Sequence, residues 1–362
     1  MRLEELEKIV RRRKLDGVLV YDPANIRALT GIVCDAACLA VEPRFSNTST
    51  SRPLNSSTFQ PFNFSTFIYT DFRYVPMIHR VAPGLKVRDI KTLGKTRGKG
   101  RKARRLGYES SISHARFLAL QKLFPKAKFV DVAKDLQRVR MVKTPEEQAG
   151  LRAAEALNDA IWQEASAQFR AGMTEREMAR LIRHLMIDRG EGEAFETIVC
   201  VGANAAECHH EPDDAVWNGR EPVLVDMGVK LNGFCSDMTR NLVPKRPRPI
   251  YRQVYDLVLA ANRAAIAAAR PGITGKALDK VARDVIRKGG FGKCFGHSLG
   301  HGVGYEIHEP PYAAKRDDTV FKPGMLVTIE PGVYLEGNLG VRIEDLVLIT
   351  DDGCEVLSAS AK

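Results

Sequence analysis

Two acid-bearing hairpins in the C-terminal half constrain this chain more than any other feature. In the first, Pro222-Val223-Leu224-Val225-Asp226-Met227-Gly228 runs into Asn232-Gly233, and Phe234-Cys235-Ser236-Asp237-Met238-Thr239 returns. Asn-Gly between apolar runs is a strong turn signal. Asp226 and Asp237 lie almost symmetrically about that turn, so they should be cross-strand or diagonal neighbours on one face. In the second, Met325-Leu326-Val327-Thr328-Ile329-Glu330 leads to a loop with Gly337, and Gly340-Val341-Arg342-Ile343-Glu344-Asp345 returns. Glu330 and Glu344 are equidistant from Gly337 and can converge. Alternation puts Arg342 and Glu344 on the same face. Acids are disfavoured in strands and costly to bury. Four carboxylates cannot share a low-dielectric cleft as bare anions: either some protonate or cations neutralise them, and two divalent cations bridged by carboxylates are the natural solution.

A histidine–glycine loop adds to this set: Gly296-His297-Ser298-Leu299-Gly300-His301-Gly302-Val303-Gly304, with His308-Glu309-Pro310 beyond. His297 and His301 have the spacing of a helical zinc site. The glycines and the missing Glu after His297 argue against that reading. A glycine-flanked His301 fits a close-packed strand or loop facing a ligand. His209, in Glu207-Cys208-His209-His210, is a further candidate. There is no P-loop, dinucleotide fingerprint or Gly-x-Ser-x-Gly elbow.

The 362 residues are comfortable for two domains, and no run of about 18 apolar residues suggests a membrane span. A charged N-terminus and seven cysteines, odd in number, point to a cytoplasmic protein with reduced thiols. Cys34 and Cys38 are spaced like half of a zinc site, but no second pair follows. The net charge of +11 is concentrated in Lys91 to Arg105, read as a solvated loop because no aromatic residue interleaves.

In the first third, Leu3, Leu6, Ile9 and Val10 repeat at helical spacing, Gly17 to Tyr21 and Ile68 to Asp71 read as strands, and Ala115 to Leu123 reads as helix. Residues 45–67 are read as an irregular insertion. A boundary falls near Val142, where Thr144 and Glu147 form a capping box ahead of a long helix from Pro145 to about Arg170. Ala171-Gly172-Met173-Thr174 and Pro271-Gly272-Ile273-Thr274 end one long helix and start another, one hundred residues apart. That repeat suggests two related α+β halves with a site between them.

The ordered set Asp226-Met227-Gly228, Ser236-Asp237-Met238-Thr239-Arg240, Gly300-His301-Gly302-Val303-Gly304, Ile329-Glu330-Pro331-Gly332 and Arg342-Ile343-Glu344-Asp345 resembles the pita-bread metallopeptidases, peptidase family M24. Ser236 to Arg240, Asn25 to Gly31 and Thr70 to Tyr74 are similar to its Xaa-Pro dipeptidase and Xaa-Pro aminopeptidase branch. The resemblance implies an α+β protein. A smaller α/β creatinase-like domain (1–141) would precede a pita-bread catalytic domain (142–362) with pseudo-two-fold halves. It implies two divalent metal ions, Mn²⁺ first and Co²⁺, Zn²⁺ or Fe²⁺ as options, held by Asp226, Asp237, His301, Glu330 and Glu344. A metal-bridging water would then cleave Xaa-Pro bonds. Glu330, His308 and His209 would be catalytic, with His297 and Arg342 in support. It further implies short proline-containing peptides as substrates and a homodimer, with no membrane or nucleic-acid partner. A non-enzymatic scaffold binding nucleic acid or protein, and a creatinase-like metal-independent hydrolase, are the alternatives. The segment Asn204-Ala205-Ala206-Glu207-Cys208-His209 departs from the branch's Asn-Ser-Ala-x-Pro-His.

Overall fold

The computed structural model describes residues 1–43, 64–94 and 105–362. The chain divides into two units, Met1–Arg140 and Met141–Lys362.

The first unit is built on a six-stranded mixed sheet, in the order Lys86–Asp89, Phe64–Thr70, Cys38–Pro43, Gly17–Val20, Arg105–Tyr108, Lys128–Asp131. Gly17–Val20 is apolar throughout because both faces of the sheet are covered. Val18 and Val20 enter the core formed with the Leu3–Arg12 helix, whereas Leu19 enters a second core with Leu106 and Leu120. Most of the stretch expected to be irregular, 45–67, lies outside the described residues. Its last residues correct that reading: Phe64 to Phe67 open a strand, because Phe64 and Phe67 bury their rings in the two cores. The basic run likewise lies largely outside the described residues, with Arg105 starting a strand.

The second unit consists of two halves with the same plan, as the repeated sequence suggested. Each half begins with a long helix, Pro145–Gln168 or Pro249–Ala268, and a shorter one, Glu175–Arg189 or Gly275–Lys288. Thr144 and Thr174 form capping boxes with Glu147 and Glu177, and Thr274 caps its helix through the Ala277 N–H. The backbone bonds repeat too. Gly172 N donates to Trp217 O and Gly272 N to Phe321 O, both at about 2.8–2.9 Å. Thr174 bridges Val216 as Thr274 bridges Val320.

Each long helix also carries a buried Asn that reaches a strand: Asn158 Nδ2 donates to Met227 O and Asn262 Nδ2 to Ile329 O, each at 3.0 Å. These two carbonyls lie next to Asp226 and Glu330, so equivalent amides fix equivalent strand ends. The halves are joined through buried Arg240, which donates to Asp345 Oδ1 at 3.0 Å and to the Glu344 carbonyl. No described helix is long and apolar enough to cross a membrane. All seven cysteines are free thiols.

Candidate active site

Strand alternation delivers the acids to one place. In Val223–Met227, residues Val223, Val225 and Met227 pack against the helices of the first half, which turns Asp226 to the opposite face. Asp226 pairs with Thr239 across the sheet, so Asp237, two residues earlier, is its diagonal neighbour. Asn232 and Gly233, both at positive φ, make the tight turn this register needs. In the second half Val327, Ile329, Val341 and Ile343 enter the helical core, leaving Thr328, Glu330, Arg342 and Glu344 on the inner face. Gly332 pairs with Arg342 and Ile329 with Asp345, and the same register places Glu330 opposite Glu344.

His301 joins them from the short strand Gly300–Gly302. The flanking glycines are required by close approach: a Cβ on Gly300 would lie 1.9 Å from Thr328 O, and one on Gly302 2.6 Å from Glu309 O. His301 Nδ1 lies 3.1 Å from the Gly302 carbonyl, which makes it the N–H donor and leaves Nε2 with its lone pair toward the acids. Nε2 is 3.5 Å from Asp237 Oδ2 and 3.5 Å from Glu330 Oε1. That is too long for a hydrogen bond. It matches the spacing of two ligands on one ion, roughly 3–3.5 Å for metal–ligand distances of about 2.1 Å. Ligand atoms of Asp237, His301 and Glu344 all lie within 4.8 Å of one another.

The electrostatics suit a positive charge held among these acids. Burial, reinforced by the neighbouring carboxylates, holds Asp237 and Glu344 well above the usual carboxylate range. Burial pushes Glu330 up to about 8 against the pull of Arg342, and lowers His301 to about 4, keeping its imidazole neutral. Asp226 Oδ1 is buried and has no hydrogen-bond partner among the described residues. An orphaned carboxylate oxygen, crowded acids and a neutral imidazole are the donor set of an oxygen-rich divalent cation site.

Arg342 organises the wall of the site. Its guanidinium donates to Asp226 Oδ2 at 2.7 Å, Thr239 Oγ1 at 3.0 Å and Tyr334 Oη at 2.9 Å. Thr239 Oγ1 in turn donates to Glu344 Oε2 at 2.8 Å. His297 Nε2 lies 2.9 Å from Tyr334 Oη, and burial holds this histidine at about 4. His308 is exposed, its ring 4.3 Å from that of His301. His209 is exposed too, and close enough for its charge to lower the pKa of both His297 and His308. The two form the rim, and the carboxylates the floor.

Several site residues escape a reading by motif. Tyr334 joins Arg342 to His297, and Thr239 joins Arg342 to Glu344. Glu155, fully buried, accepts the Asp237 N–H at 3.1 Å and the Ser358 hydroxyl at 2.6 Å, and burial raises it to about 8. Its signal was available: Leu151, Ala154, Glu155 and Asn158 share the buried face of a 24-residue helix, and a Glu in such a stripe has a partner. Tyr334→Phe is expected to destabilise the fold by about 1.5–3 kcal/mol, since it strands a buried guanidinium N–H. Urea melts of the two proteins measure this.

A model of metallopeptidase family M24 matches residues 149–351, and a model of the creatinase/prolidase N-terminal domain matches residues 2–142. The Xaa-Pro dipeptidase of Lactobacillus helveticus is 41% identical over 255 residues, 70% of this chain and 69% of that protein. The solved structure of the Xaa-Pro dipeptidase from Bacillus anthracis superposes with a TM-score of 0.87 at 29% identity, covering 100% of this chain and 98% of that one. Prolidase from Pyrococcus furiosus gives 0.87 at 31% identity, covering 98% and 99%. The chain therefore belongs to metallopeptidase family M24, enzymes that use divalent metal ions, and carries the creatinase/prolidase type of N-terminal domain.

Proposed function

We propose that this enzyme is an Xaa-Pro dipeptidase, with Asp226, Asp237, His301, Glu330 and Glu344 holding two divalent cations. The observation that carries the proposal is the placing of His301 Nε2 at 3.5 Å from a carboxylate oxygen of Asp237 and 3.5 Å from one of Glu330, too far for a hydrogen bond and right for two ligands of one ion. The likeness to named Xaa-Pro dipeptidases supports the substrate class. Four carboxylates with one imidazole suit Mn²⁺. When bound, the cations supply Lewis acidity and a water ionised near neutral pH.

The chain's own residues do the rest. Glu330, on the inner face beside His301, would take a proton from the attacking water and return it to the leaving proline nitrogen. His308, at the mouth beside His301, donates to the oxyanion formed from the scissile carbonyl. His209 meets the substrate from the rim. Arg342 balances one of the four carboxylates of the floor. A metal-independent hydrolase or a binding scaffold would leave Asp226 Oδ1 orphaned and these acids crowded for no purpose.

The test compares an Xaa-Pro dipeptide with the matched Xaa-Ala dipeptide, using stripped and Mn²⁺-restored protein. Release of free proline only after metal is restored, with little cleavage of Xaa-Ala, is the expected result. Folded, metal-loaded protein that ignores Xaa-Pro dipeptides would sink the proposal.

A further inference from the structure

Two loops bring histidines to the site, and in each half a buried carboxylate on the shorter helix fastens the loop. In the first half this is Glu175, the fully buried first residue of Glu175–Arg189. Its Oε1 accepts from Val201 N at 2.6 Å and from Asn204 Nδ2 at 2.9 Å. Its Oε2 accepts from Asp213 N at 3.0 Å and lies 2.7 Å from His210 Nε2. One carboxylate thus collects donors from both ends of the segment 201–213. Burial pulls the pKa of His210 down, but its hydrogen bond to Glu175 and that residue's charge, with the contributions of Glu207 and Asp213, together outweigh burial and raise it.

The second half has a counterpart. Asp279, buried on Gly275–Lys288, accepts from Leu299 N at 3.1 Å and binds Arg283. Arg283 donates to the carbonyls of Phe295 and His297, both at 2.8 Å. A buried carboxylate on the shorter helix, its first residue in one half and its fifth in the other, therefore anchors the loop of His209 or that of His297.

Glu175, His210 and Asp213 also approach one another as a metal triad would. Both oxygens of Glu175 are already filled by N–H donors, however, and Asp213 Oδ1 accepts from Ala215 N at 2.6 Å. The cluster is an anchor for the backbone. At the tip of the anchored segment, the Cys208 carbonyl accepts from Arg342 Nη1 at 3.4 Å, and Arg342 also holds Asp226. His209 follows directly.

We infer that Glu175 is a positioning residue for substrate binding: through His210, Asn204 and two backbone amides it sets the 201–213 loop so that His209 stands over the carboxylate centre. The role in binding rests on the hydrolytic reading of that centre, whereas the anchoring of the loop does not. An amide at position 175 keeps the shape but turns one acceptor oxygen into a donor facing another donor.

The experiment uses the Mn²⁺-loaded full chain as wild type, Glu175→Gln and His210→Gln. Hydrogen exchange is followed in peptides spanning 202–213, 226–239 and 330–344, and kcat and KM are measured on an Xaa-Pro dipeptide. In Glu175→Gln, exchange across 202–213 is expected to quicken by at least about tenfold while the two hairpins keep their protection. KM is expected to rise by about tenfold or more with kcat within about threefold. His210→Gln, which keeps one neutral donor to Glu175, shows the same pattern more weakly. A residue that merely stabilised the fold would behave differently: exchange would quicken everywhere, and a smaller active fraction would cut kcat and leave KM alone. That pattern overturns the inference, as does exchange across 202–213 at the wild-type rate. If wild type cleaves no Xaa-Pro dipeptide, the dipeptidase reading falls, and the exchange across 202–213 still decides the anchoring.

Discussion

Asp237→Asn is expected to lower kcat on an Xaa-Pro dipeptide by about a thousandfold or more, and at the same time to raise the melting temperature of the metal-stripped protein. The two effects have one cause. Asp237 is buried among Glu344, Asp226, Glu330 and Glu155, and both its burial and these neighbours oppose its ionised form. With cations bound, the charge is needed, and loss of a ligand removes several kcal/mol of transition-state stabilisation, where about 4 kcal/mol is a thousandfold. Without cations, the charge is a liability, and an isosteric amide relieves it. Each kcal/mol of relief raises the melting temperature by about 1–2 °C in a protein of this size. Steady-state rates on the metal-loaded proteins and thermal melts in chelator measure the two halves. A variant that is less stable than wild type in chelator would contradict the crowding argument even if its activity were lost.

The second large effect is in the pH dependence of stability. The metal-stripped protein is expected to lose stability as pH rises from about 5 to about 8, and Mn²⁺ is expected to reverse the trend. Glu330 titrates at about 8 in the folded chain against 4.5 for an ordinary Glu, and Asp237 and Glu344 are raised as well. Between those values the folded protein binds more protons than the unfolded one, so each step up in pH favours unfolding. The contribution is fully retained below the ordinary carboxylate range and is lost by the time pH passes the folded values. Metal binding needs the deprotonated ligands, so it strengthens over the same range. Melts across this interval, with chelator and with Mn²⁺, should give two curves that diverge upward in pH. Parallel curves would mean that these carboxylates do not hold the ion.

How much of this was legible in the sequence depends on how local the cause is. The acids of each hairpin were readable because a hairpin is a local object. Asn232-Gly233 fixes one register, and the distances of Glu330 and Glu344 from Gly337 fix the other. The two-fold plan was readable in the repeated Gly-x-Thr segments, since helix ends are written in a few residues. Contacts made by distant residues were not readable. Nothing near Glu155 announces that it receives the Asp237 N–H, 82 positions away. Tyr334 reads as an ordinary strand aromatic until the fold brings Arg342 and His297 to its hydroxyl. Of the adjacent pair His209 and His210, sequence reasoning chose the exposed one. It gave no role to the buried one, because the partner that explains His210 is a helix start 35 residues earlier. The polar run before Phe67 hid the opening of a strand, since serine and threonine mask two buried rings.

The central claim is that the hairpin acids and His301 form one cation site that performs the hydrolysis. Calorimetric titration of Mn²⁺ into stripped wild type and stripped Asp237→Asn tests it most directly. Two ions per wild-type chain, with binding weakened by about a hundredfold or more in the variant, is the expected result. Wild type that takes up no ion, or a variant that binds as wild type does, would contradict it.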